Sequence, residues 1–219
     1  MGLVRNRGVS KGKGATPFPL SAGLPADIGA DDERARVPPG QHVVRDFPVL
    51  HVGPVPYVSP PPGWDLRILG AVEQELWWSY DDFRGLPTRT VTCDIHCVTS
   101  WSKLGTQWEG VPMSLVLEQA RPLPAATHVV AHAEHDYTAN LPLADILRDD
   151  VLLAYRFDGA ELEPEHGGPL RLLVPHLYLW KSAKWLRAIE LVSGDRPGYW
   201  ERYGYSNTAD PWKEERYAF

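Results

Sequence analysis

The run TRTVTCDIHCVTSWS occupies Thr88 to Ser102, and its first eleven residues decide the fold. Val91, Cys93, Ile95 and Cys97 alternate with Thr90, Thr92, Asp94 and His96. A period of two with one apolar and one polar face predicts a strand over Thr88–Val98. The strand runs out at Cys97 into VTSWSKLG. A side chain at a strand end is rigidly placed while able to face a cavity, so Cys97 is a candidate metal-binding thiolate. The alternative is that Cys93 and Cys97 are both small buried hydrophobes on the inner face. Zinc is the competing metal, with Cys93, His96, Cys97, His128, His132 and His135 as suitable ligand types. Spacing argues against it. On an extended strand the two cysteines lie roughly 13 Å apart at about 3.3 Å per residue, and His96 points to the face opposite Cys97.

Upstream, residues 1 to about 40 are rich in Gly, Pro, Lys, Arg and Asp and poor in large apolar side chains. That composition predicts a flexible arm, leaving 41–219 as one domain. DFPVLHVGPVPYVSPPPGW (Asp46–Trp64) is Pro-rich yet apolar, and predicts an ordered loop lying on the core. LRILGAV (Leu66–Val72) reads as a strand, and LWWSYDDFRGLP (Leu76–Pro87) has room for one short helix. Downstream, Pro112 opens a short helix through Leu115 to Gln119, with proline in the first turn. Thr127–Ala133 suits another strand, and LPLADILRD (Leu141–Asp149) one or two helical turns. VLLAYRFDGAEL (Val151–Leu162) reads as a hairpin turning at Asp158-Gly159. LRLLVP (Leu170–Pro175) and KWLRAIELVS (Lys184–Ser193) read as two further strands. Short strands with few, short helices predict a mixed, strand-dominated α+β domain.

A chain of 219 residues suits one large domain, and nine Trp with nine Tyr predict a well-packed core. The net charge of −6, with no basic run in the folded part, argues against nucleic acid as a partner. No apolar run approaches the roughly 18 residues that span a bilayer, so no membrane partner is expected. The opening MGLVRNRGVSKGKGATPFPL has neither an apolar segment nor a consecutive Arg pair, and Asn6 stands where myristoylation wants Ser or Thr. A cytoplasmic location is the expectation. Two cysteines make no disulfide framework.

HCVTSWS (His96–Ser102) resembles the cysteine loop of the sulfite oxidase and protein-methionine-sulfoxide reductase molybdenum families, where a Cys-Val-x-x-Trp-Ser run delivers a thiolate ligand. EHGGPLRLLVP (Glu165–Pro175) resembles their pterin-binding run: His or Asn, then Gly and Pro, with Arg five positions after the His. WKSAKWL (Trp180–Leu186) is similar to the stretch that wraps the pterin phosphate. DYTANLPL (Asp136–Leu143) resembles the run in which an active-site Tyr precedes a helix, and RDFPVLH (Arg45–His51) the first cofactor-binding loop. The five runs keep the family's order and spacing, and GYWERYGYSNTADPWKEERY (Gly198–Tyr217) is like the closing segment of small bacterial members.

The resemblance implies a sulfite-oxidase-type molybdopterin fold and a molybdenum-dependent oxidoreductase. Such an enzyme moves an oxygen atom to or from a small substrate and exchanges electrons with an external partner. Cys97 would be the molybdenum ligand, a soft sulfur suited to a redox metal. Tyr137 matches a tyrosine aimed at the metal centre, where a phenol can donate a hydrogen bond; its alternative is a core tyrosine. Arg45 matches an arginine that helps bind an anionic substrate, although Asp46 beside it could simply pair with it. Ser182, Lys184 and the backbone around Ala183 would hold the pterin phosphate, with Lys181 adding charge and Arg171 its planar fork. Ordinary surface charge is the alternative for Lys181, Lys184 and Arg171. His166 would bond the cofactor's polar edge, and Phe47, His51, His96 and Thr99 complete the implied contacts. Departures from the family matter. Sulfite oxidases carry arginines just after the cysteine, where this chain has Thr99, Ser100, Trp101 and Ser102. Losing that charge weakens a pocket shaped for a small dianion. Their haem-binding and C-terminal sandwich domains are also not found in the sequence. Trp101 and nearby aromatics suit a larger or more apolar substrate than sulfite. The rival expectation is a binding module that keeps the fold without the cofactor.

Overall fold

A computed structural model describes residues 30–56 and 60–219. In chain order the elements are α1 (Ala30–Ala35), β1 (His42–Val43), β2 (Asp65–Gly70), β3 (Leu76–Ser79), α2 (Tyr80–Arg84), β4 (Arg89–His96) and β5 (Trp101–Pro112). There follow α3 (Met113–Ala120), β6 (His128–Ala133), β7 (Thr138–Pro142), α4 (Leu143–Ile146), β8 (Leu152–Phe157), β9 (Ala160–Glu161), β10 (Arg171–Leu173) and β11 (Leu186–Val192). Single 3-10 turns at Pro164–His166 and Leu179–Lys181 flank β10. The strands make two sheets. One holds β1, β4, β5, β8, β9 and β10; the other runs β3-β2-β11-β6-β7. In the second, β11 is parallel to β2 and antiparallel to β6.

The strand read over Thr88–Val98 is β4, and it does not end in open loop. It folds back as a hairpin onto β5, with His96 opposite Ser102 and Arg89 opposite Gly110. Sequence alternation missed β5 because its inward positions include Thr106 and Gly110, which do not read as apolar. Gly110 is required there: a Cβ would lie 2.2 Å from the Leu153 carbonyl oxygen of β8. Alternation along β4 is also interrupted, by a register shift between Cys93 and Ile95. Pro112 precedes α3 as its cap and is not its first helical residue. Met113, Val116, Leu117 and Ala120 recur at helical spacing and are buried in the main core. Full burial of the Met, Val and Leu side chains contributes about 1.5–3 kcal/mol each.

The hairpin expected at Asp158-Gly159 forms between β8 and β9, with Asp158 and Gly159 both at positive φ. Thr138–Pro142 is a strand, so the helix expected after Tyr137 begins only at Leu143. Of the expected arm, residues 1–29 lie outside the described residues. Residues 30–40 carry α1, and Arg36 grips the Asp94 carboxylate through Nε at 2.9 Å and Nη2 at 2.5 Å. Ordered structure thus extends ahead of the boundary that composition set near residue 40, because one bidentate ion pair ties a polar segment to β4.

Candidate cofactor site

Between β4 and β5 the chain turns through Cys97, Val98, Thr99 and Ser100. The Cys97 N–H donates to the Trp101 carbonyl (2.9 Å) and the Ser100 N–H to the Cys97 carbonyl (3.1 Å). Cys97 packs with Ile95, Trp101 and Trp108 in a second hydrophobic cluster, and it also lines a cavity of about 300 Å³. The Thr99 hydroxyl donates to its sulfur at 3.1 Å. Both cysteines are free thiols. Cys93 lies outside the cavity, and burial pushes its thiol up to about 12.

Four segments close around the turn that carries Cys97. Phe47 and His51 come from the loop after β1, and Tyr137 from the turn before β7. Arg171 opens β10, and Ser182, Ala183 and Lys184 follow the 3-10 turn at Leu179–Lys181. With Cys97 and Thr99, these are nine of the expected site residues, brought together from positions 47 to 184.

The electrostatics are one-sided. Among the described residues no Asp or Glu lines the cavity, while Arg171 and Lys184 do. Arg171 is 1 % exposed and donates to the carbonyls of His166 (2.8 Å) and Ser182 (2.9 Å). Its Nε is buried without a partner among the described residues, and burial pushes the guanidinium down to about 10. Lys184 Nζ donates to the carbonyls of Glu165 (2.6 Å) and Leu50 (2.8 Å). Burial, then the charge of Arg171, pushes it down to about 7. Two buried or half-buried cations with only neutral carbonyls for partners are costly unless an anion joins them. A terminal phosphate fits that donor set. The paired glycines of the His-Gly-Gly-Pro run shape the ground beneath it. Gly167 has φ +110°, with Lys184 Cβ 3.0 Å from where its own Cβ would stand, and a Cβ on Gly168 would lie 2.1 Å from the Leu162 carbonyl oxygen.

His166 stands behind the lining, its ring stacked on Phe47 at 4.0 Å and 5°. Burial, then Lys184 and Arg171, pushes its imidazolium down to about 4, so the ring is neutral near pH 7. Its Nδ1 is buried without a partner among the described residues. Tyr137 donates its hydroxyl to the Trp180 carbonyl at 2.5 Å, and burial raises the phenol, which keeps its proton.

Three expected residues stand elsewhere. Lys181 is buried in an ion pair with Glu201 (2.6 Å) and bonds to the backbone and side-chain oxygens of Asn140. Two residues separate Lys181 from Lys184, and the intervening turn sends their side chains to different partners. His96 is buried against Ser102 Oγ at 2.8 Å, on the face opposite Cys97. Arg45 is exposed and outside the lining; only its carbonyl is engaged, by Lys103 Nζ at 2.6 Å. Adjacent residues on extended chain face opposite ways, as alternation along the strand had already indicated for His96.

Sequence reasoning did not select Leu50, Trp185, Trp200 and Tyr205, which also line the cavity. Trp185 has φ 53°, sparsely populated for a bulky side chain. Its indole N–H donates to the Pro164 carbonyl at 2.7 Å, which holds the ring at the wall. Its aromatic character alone reads as core, and only its place beside Lys184 pointed to the site.

A family model described as oxidoreductase molybdopterin binding domain matches residues 52–200. The chain is 46% identical over 188 residues to the protein named uncharacterized oxidoreductase YuiH of Bacillus subtilis, covering 86% of this chain and 95% of that one. It is 28% identical to the protein-methionine-sulfoxide reductase catalytic subunit MsrP of Gluconobacter oxydans, over 68% of this chain. The match spans about half of that relative, 54% of its length. Among solved structures, the sulfane dehydrogenase SoxCD from Paracoccus pantotrophus shares the fold, with a TM-score of 0.59 at 20% identity. That match covers 86% of this chain and 58% of the other. The chain belongs to the oxidoreductase molybdopterin binding domain family. It has the strand-dominated sulfite-oxidase-type fold and is a molybdenum-dependent oxidoreductase whose cofactor is molybdopterin. Among the described residues no helix is long and apolar enough to cross a membrane.

Proposed function

We propose that Cys97 is the protein thiolate on molybdenum, that Arg171 and Lys184 hold the pterin phosphate with Ser182 and the backbone at Ala183, and that the enzyme transfers an oxygen atom to or from a small neutral substrate. The observation that carries this reading is that two cations whose hydrogen-bond partners among the described residues are neutral carbonyls share one cavity with Cys97. When bound, the cofactor supplies the two-electron redox couple, and the protein supplies orientation and electrostatics. Arg171, held rigidly by its two carbonyl contacts, offers its charge and an unpartnered Nε–H, while Lys184 offers a charge that an adjacent phosphate would restore in full. Phe47, Trp101 and Tyr205 line the cavity and exclude water. Tyr137 keeps its phenolic proton, which it donates to the Trp180 carbonyl, and so lines the cavity as a fixed ring with a hydroxyl oxygen able to accept. His166, neutral and stacked on Phe47, can make one hydrogen bond to a polar edge of the pterin.

With both cations committed to phosphate, the rest of the lining is mainly apolar and aromatic, with Val98, Leu179, Trp101 and Tyr205 among its members and His51 and Thr99 as further polar groups. A sulfite- or nitrate-sized anion would meet no further charge there. Electrons pass to or from an external partner. A panel of neutral sulfoxides and N-oxides, assayed with a reduced dye, and of sulfite, assayed with an oxidising dye, tests the substrate class. Turnover of neutral oxides with sulfite inert is the expected outcome. Efficient sulfite oxidation would overturn the neutral-substrate reading.

A further inference from the structure

We infer that Thr99 tunes the reduction potential of the metal centre through its hydrogen bond to Cys97; this rests on the reading that Cys97 is the ligand. The Thr99 hydroxyl lies 3.1 Å from Cys97 Sγ and makes no other side-chain hydrogen bond among the described residues. A thiolate carries no proton, so the hydroxyl is the donor. The turn that sets this contact is tied on several sides. Cys97 N–H and Ser100 N–H bond within the turn. The carbonyl of Cys97 accepts from Gln41 Nε2 at 3.1 Å, and that of Val98 from Arg216 Nη1 at 2.5 Å. Thr99 is thus held against the sulfur by contacts from both ends of the described chain, although its side chain is itself exposed.

A donor on a thiolate draws electron density from sulfur, so the sulfur gives less to the metal. The more electron-rich, reduced state is then favoured, and the potential rises. No proton is transferred in this role, and Thr99 acts only through Cys97 as a positioning residue.

The test uses the molybdenum-loaded protein and the pair Thr99→Val and Thr99→Ser. Val keeps the shape and removes the donor; Ser keeps the donor. Molybdenum content, the midpoint potential and the sulfur-to-molybdenum charge-transfer absorption are measured together. The inference expects full molybdenum in both. It expects a more negative potential and a lower-energy absorption in the Val variant, and near wild-type values in the Ser variant. An unchanged potential in fully loaded Thr99→Val, equal shifts in both variants, or loss of molybdenum from Thr99→Val would each overturn it. Cys97→Ser separates the underlying reading: the pterin's own sulfurs keep some charge-transfer absorption, but if that absorption is unchanged in the molybdenum-loaded variant, the ligand assignment fails whatever Thr99 does.

Discussion

Cys93 and Cys97 sit four positions apart and meet different surroundings. Cys93 is a high-pKa thiol facing Thr106, while Cys97 borders the cavity with a hydroxyl on its sulfur. Cys93→Ser is expected to retain molybdenum, and Cys97→Ser to lose molybdenum-centred activity while keeping its circular dichroism; equal loss from both would contradict the assignment. Lys184 gives a pH signature. Its folded pKa of about 7 lies below the usual lysine value, so the unfolded chain binds more protons between about 7 and that value. Stability of the cofactor-free protein therefore rises with pH across that window. Phosphate binding needs the charged form, so pterin affinity is expected to fall as pH climbs above about 7. Lys184→Met should bind weakly at every pH with a flatter profile, as equilibrium dialysis against the extracted cofactor would read. An equally steep profile in that variant would place the titrating group elsewhere. At this scale the sequence was legible where spacing fixed a side chain's direction, as for Arg171 beneath the His-Gly-Gly-Pro run. It was not legible for Arg45 and Lys181, because residue identity does not say which way an extended or turning chain points; for His96 alternation already set the side chain opposite Cys97, against the contact that the resemblance implied.

The hairpin of β4 and β5 is the element on which the site depends, since its tip carries both Cys97 and Thr99. Its first strand could be read from alternation; its second could not, because Thr and Gly occupy inward positions that close packing demands. The segment Trp180–Trp185 divides its lysines between two tasks. Lys184 serves the cavity, and Lys181 pins the 3-10 turn to Glu201 near the C-terminus, both side chains of that pair being at most 3 % exposed. Removing one partner of a buried pair costs about 3–5 kcal/mol. Lys181→Met is therefore expected to lower unfolding free energy by an amount of that order in a denaturant titration, while its folded fraction binds pterin with unchanged affinity. Weakened pterin affinity at unchanged stability would return Lys181 to the cofactor site.

Across the whole molecule, the site gathers residues from the loop after β1 to Tyr205, so binding depends on the two sheets keeping their places. The mixed, strand-dominated character was legible from short strands separated by turns, whereas the division into two sheets and the gathering of aromatic walls were not, since strand pairing is long-range and Trp200 and Tyr205 carry no periodic signal. At the other end of the chain, deleting residues 1–29 is expected to leave melting temperature and cofactor content unchanged. Arg36→Ala should lower stability by about 1 kcal/mol, the scale of a partly exposed ion pair. A lowered melting temperature on deleting 1–29 alone would show that those residues contribute to the fold. The central claim is that Cys97 and the two cations form one cofactor site. Molybdenum and pterin content of protein purified from molybdate-supplied cells tests it most directly, in the wild type, Lys184→Glu and a Lys213→Glu control. The account predicts near one equivalent of both in the wild type and the control, and little of either in folded Lys184→Glu. Full molybdopterin in Lys184→Glu, or none in the wild type, would contradict it.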